Sequence, residues 1–175
     1  MEYRDIAFSK AKEYGLEIVE NAQPDDEDRE VTKFLLERGI KNAWVEPDDP
    51  KTIYFAGQIE NCCDLFAVLH EIGHIVLEHA TGKVQASKYI AQEFEAYEFA
   101  FSPNHDFDVT LSEKDLSDIS IGLGFNILRV ESIAEEWSPL DMFDHMDDAF
   151  RAAKEIVRGL IEDNPRINVL EEKGG

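Results

Sequence analysis

A chain of 175 residues, 43% of them apolar, is long enough to build one domain around its own core. Its 38 acidic against 17 basic residues give a formal net charge of −21, which repels phosphate backbones and argues against direct nucleic-acid binding. No apolar run approaches a membrane span and residues 1–20 are mixed and charged, so a cytoplasmic protein without membrane attachment is expected.

In chain order, residues 2–14 are predicted helical and closed by Gly15, with a short strand over Leu16, Ile18 and Val19. An acidic loop leads to a second helix over 30–37, ended by Gly39. Residues 43–57 look like a hairpin turning at Pro47-Asp48-Asp49-Pro50. Asn61 is a cap for a helix from Cys62 to about His79, with Thr81-Gly82 as its stop. Cys62 and Cys63 are adjacent, a spacing that strains a disulfide and lacks the gap of a zinc knuckle; both are expected as small buried hydrophobes. A further helix covers 87–101. Ser112, with Asp115 three residues on, starts a short helix that fades at Gly122 and Gly124, and 126–137 continues as a second one. That pair could imitate a helix-turn-helix, but Glu131, Glu135 and Glu136 oppose only Arg129, so it is read as a packing or docking element. Ser138-Pro139 opens the last helix, to about Asp163. Its stripe of Leu140, Phe143, Met146, Phe150, Ala153, Val157 and Leu160 reads as core. The fold class expected is α+β, mostly helical with a small antiparallel sheet beside the central helix, residues 1–104 forming the core and 105–175 a C-terminal helical region.

The chemistry sits in Val68-Leu69-His70-Glu71-Ile72-Gly73-His74. Histidines four apart share one helix face and can bind one ion, and neutral imidazole suits zinc. Glu71 lies about 100° round from His70, so it stands off the metal and can act as base toward the water that zinc activates. Given this chain's own composition the pattern arises by accident about 2% of the time. Hydrogen-bonded core histidines are the bland alternative, and burying two of them with a glutamate is costly unless something satisfies all three.

A third ligand is needed. On a continuous helix His79 points about 140° away from His74, so its removal is expected to leave bound metal nearly unchanged. Cys63 is two turns from His70, about 10 Å, too far to share the ion. Zinc peptidases of the thermolysin type take a glutamate from a helix about twenty residues downstream, where this chain has Glu93, Glu95 and Glu98. Glu93 shares a face with Ala96, Tyr97 and Ala100, whereas Glu95 and Glu98 face with Ser102 toward solvent. Glu93 is the choice and Glu95 the fallback. Tyr97, Tyr89 and His105 are candidates to stabilise an oxyanion, Tyr97 foremost because it lies one turn from Glu93. His145 reads as exposed.

Residues 66–79, Phe-Ala-Val-Leu-His-Glu-Ile-Gly-His-Ile-Val-Leu-Glu-His, together with Glu93-Phe94-Glu95-Ala96-Tyr97-Glu98-Phe99-Ala100 and Pro103, resemble the ImmA/IrrE metallopeptidases. Tyr97 stands where that family commonly has Asn, and Ser102 where Met precedes the proline. The resemblance covers about residues 53–103. It implies a zincin-like fold, zinc as cofactor and His70, His74 and Glu93 as ligands. It also implies site-specific cleavage of a helix-turn-helix repressor of a mobile element or stress regulon. The competing expectation is a non-catalytic zinc-containing module that holds a partner, in a phage or toxin–antitoxin pair; Glu71 separates the two, since a structural zinc needs no base.

Overall fold

Helix α1 (Tyr3–Glu13) ends where Gly15 takes a left-handed φ of 70°, and the chain turns into strand β1 (Glu17–Val19). This is a computed structural model in which residues 2–25, 29–79 and 86–171 are described. Helix α2 (Arg29–Glu37) closes the same way at Gly39, and strands β2 (Ala43–Glu46) and β3 (Asp49–Phe55) form the expected hairpin. Asp49 clamps that hairpin by accepting from Thr52 Oγ1 at 3.0 Å and Tyr54 Oη at 2.7 Å, which pushes the Tyr54 pKa up to about 12. The sheet order is β1-β3-β2, antiparallel between β2 and β3 but parallel between β1 and β3. The expected all-antiparallel sheet is thus corrected to a mixed one: β1 and β3 are separated by enough chain for a crossover through α2.

Helix α3 (Cys62–Val76) lies against this sheet, and α1 packs beside it. Leu65, Val68, Leu69 and Ile72 are fully buried, as are Ile53 and Phe55 on β3. Such a side chain removed from water contributes about 1.5–3 kcal/mol, so this ridge fixes the rotation of α3 about its own axis. Contacts divide the chain into Met1–Gly82 and Lys83–Gly175.

The second unit holds α4 (Ala86–Ala100), β4 (Val109–Leu111), α5 (Glu113–Ala134), α6 (Pro139–Glu162) and β5 (Ile167–Val169). Glu113 bonds Lys154 and Arg158, and Phe125 meets Phe150 edge-on at 5.1 Å, so α5 and α6 run antiparallel. Two readings are corrected here. Helix α5 continues unbroken through Gly122 and Gly124, so residues 113–134 are one helix and not a helix-turn-helix. The stripe on α6 is core only in its second half, where Ala153 and Val157 are buried; Leu140 and Phe143, at the tip of the hairpin, are 78% and 73% exposed. Strands β4 and β5, which the sequence did not suggest, pair in parallel from Val109↔Ile167 to Leu111↔Val169. Buried Asn164 joins the ends of α4 and α6, donating to Phe101 O at 2.8 Å and accepting from Arg166 N at 2.9 Å. The fold class is α+β, and no helix among the described residues is long and apolar enough to cross a membrane.

Gly124 is a packing residue. A Cβ there would strike the Phe150 ring and stand 3.3 Å from the Phe150 Cα. Gly124→Ala should lower stability by about 1–3 kcal/mol, the usual cost of overpacking, although alanine favours helix. Gly159, exposed on α6 with nothing within 4 Å, is the control and should gain up to about 1 kcal/mol as alanine. Urea midpoints decide; shifts of the same sign for both would refute the packing role.

Candidate metal centre

The site begins with how α3 begins. Asn61 accepts the Asp64 amide at 3.0 Å and Asp64 accepts the Asn61 amide at 3.3 Å, a reciprocal capping box. From that start, with Leu65, Leu69 and Ile72 turned to the core, Ala67, His70, Glu71 and His74 fall on the half-buried side. His70 Nε2 and His74 Nε2 stand 3.0 Å apart, their rings nearly perpendicular at 4.6 Å. Two nitrogens bound at about 2.0–2.1 Å to one tetrahedral zinc are separated by about 3.3 Å. The observed pair needs only a few tenths of an ångström of adjustment, so the donor set and its spacing both fit the metal. Glu71 follows His70 on the same helix and is half-buried.

At its other end α3 stops earlier than the sequence indicates. Leu77 is the C-cap and Glu78 takes a left-handed φ of 54°. The His79 amide then bonds His74 O at 3.0 Å and the Glu78 amide bonds Ile75 O at 3.1 Å. These two bonds define a Schellman turn, which folds the second residue past the cap back over the helix. His79 is therefore not 140° away: its Nδ1 lies 2.8 Å from His74 Nδ1. It reaches the side of the His74 ring opposite to His70.

In the second unit Glu93 is buried on α4, and its Oε2 accepts from Asn126 Nδ2 at 2.8 Å. Asn126 in turn accepts from the Tyr89 hydroxyl at 3.3 Å. Glu95 and Glu98 are exposed. Asn126 leaves no mark in the sequence beyond an amide inside an apolar helix stretch. Tyr97 is buried, stacks on Phe101 at 6.2 Å and donates its hydroxyl hydrogen to Ile119 O at 3.2 Å. His105 is buried and holds Phe99 O at 2.7 Å through Nε2. The three oxyanion candidates thus each have an internal acceptor. His145 is exposed and stacks on Trp137 at 4.1 Å. Cys62 is buried, Cys63 half-buried, and no disulfide joins them.

Comparison with family profiles, with curated proteins and with solved structures finds no match to this chain.

Proposed function

We propose that this chain is a zinc-dependent endopeptidase with a zincin-like site, in which His70, His74 and Glu93 hold the metal and Glu71 is the general base. The observation that carries it is the pair of Nε2 atoms 3.0 Å apart on one helix face, with a carboxylate at the adjacent position. When bound, zinc polarises a carbonyl and lowers the pKa of water toward about 7. Glu71 takes the proton of the attacking water and passes it to the leaving amine. Asn126 holds the Glu93 carboxylate in one orientation, the usual part of an outer partner to a metal ligand. Residues 66–79 and 93–100 support the reading by their resemblance to the ImmA/IrrE peptidases. A basic DNA-binding repressor as substrate follows from that resemblance, and the net charge of −21 favours encounter with such a partner. The proposed compartment is the cytoplasm.

The test is metal content together with cleavage. The wild-type chain should bind one zinc and cut a helix-turn-helix repressor encoded beside it; His70→Ala and His74→Ala should do neither. Glu93→Ala should weaken zinc by more than the roughly 10–100-fold typical of losing an outer partner. Unchanged affinity in that variant would move the ligand role to another carboxylate, Glu95 first.

A further inference from the structure

The proposed ligands account for His70, Glu71 and His74 but leave His79 without a part. Helix α3 ends without glycine, yet Glu78 adopts the left-handed conformation that glycine normally supplies. A non-glycine residue there costs about 1–2 kcal/mol, which the two turn bonds help offset. A Schellman turn sets its second outer residue against the third residue from the helix end. In α3 those two are His79 and His74.

The two contacts of His74 lie at opposite ends of its ring. Nε2 faces His70 Nε2 at 3.0 Å, and Nδ1 faces His79 Nδ1 at 2.8 Å. An imidazole that binds a metal through Nε2 must carry its hydrogen on Nδ1, and that hydrogen needs an acceptor. The Nδ1 of His79 is placed to be it.

We propose that His79 is a positioning residue: it accepts the Nδ1 hydrogen of His74, fixing both the tautomer and the ring orientation that present Nε2 to zinc. The inference rests on the metal-binding reading above and assigns His79 no contact with metal or substrate. It reverses the expectation that removing His79 leaves bound metal nearly unchanged.

Zinc dissociation constants, from competition with a chromophoric chelator, test it, with the visible absorption of the cobalt-substituted protein as a second readout. His79→Ala should weaken zinc about 10–100-fold and alter the cobalt spectrum. His79→Asn should recover most of the affinity, because its side-chain oxygen lies two bonds from Cβ, as Nδ1 does. His79→Gln, with its oxygen one bond farther out, should not. Wild-type affinity in His79→Ala would overturn the inference while leaving the zinc site standing. Equal losses in the alanine and asparagine variants would also overturn it, since the contact would then matter only as packing. A wild-type chain that binds zinc no better than His74→Ala would overturn the underlying reading, and the inference with it.

Discussion

Glu71→Gln should abolish measurable peptide hydrolysis while leaving zinc stoichiometry at its wild-type value. A positioned general base contributes about 10²–10⁴-fold, equivalent to roughly 3–5 kcal/mol of barrier. Glutamine matches glutamate in size and in helix propensity, and position 71 is on the half-buried side of α3, away from the ridge of Leu65, Leu69 and Ile72. The fold and both imidazoles should therefore be retained, while the capacity to take a proton is lost. A module that merely holds a partner predicts a different pair of results: no cleavage by either protein and equal partner capture by both. Single-turnover cleavage followed by mass spectrometry, with zinc measured on the same samples, separates the two. Equal cleavage by wild type and variant would sink the assigned role.

The way each helix ends shows how much of this arrangement was legible. Helices α1 and α2 close in Schellman turns at Gly15 and Gly39, with the Leu16 amide on Ala11 O and the Ile40 amide on Leu35 O. Glycine announces such turns, and both ends were placed correctly. Helices α3 and α5 close in the same turn with Glu78 and Glu136 at φ 54° and 53°. Nothing local marks those ends, because glutamate is a good helix former. The cost was specific: with α3 run on to His79, the ring that touches His74 was placed on the far side. Gly122 and Gly124 erred in the opposite sense. In the sequence they look like a break, but Gly124 is small because the backbone of α6 approaches there. Caps carried by side chains were reliable, since Asn61, Ser112 and Ser138 each complete a box with the aspartate three residues on. The pairing of β4 with β5 joins short segments 58 residues apart (109 to 167), beyond any local pattern. Likewise Asn126 becomes interesting only once it is seen 2.8 Å from a buried carboxylate.

Asp64→Ala should destabilise the first unit by about 2–4 kcal/mol without weakening zinc in the protein that remains folded. Asp64 is 3% exposed, and its carboxylate gathers three donors on one oxygen: the Glu60 amide at 2.8 Å, the Asn61 amide at 3.3 Å and Lys41 Nζ at 3.2 Å. Hydrogen bonds to a charged group are worth about 1.5–3 kcal/mol, and losing one partner of a buried pair adds the cost of the stranded charge. That added cost is tempered, because Lys41 also bonds Glu60 and donates to Gln58 O at 2.7 Å. Burial pulls the Lys41 pKa down, but the hydrogen bond to Glu60 and the field of Asp64 outweigh it and hold the pKa above the ordinary lysine value. Asp64→Asn keeps an oxygen for both amides and gives up only the charge, so its loss should be the smaller, about 1–2 kcal/mol. Urea unfolding at constant slope measures both. The entry of α3 is about two turns from His70, so these variants should alter metal binding only through the fraction folded, apparent affinity scaling directly with that fraction. A variant still 90% folded should bind zinc within about twofold of wild type. A tenfold loss at that folded fraction would mean that the cap sets the His70–His74 geometry directly, and Asp64 would then belong to the site rather than to its support.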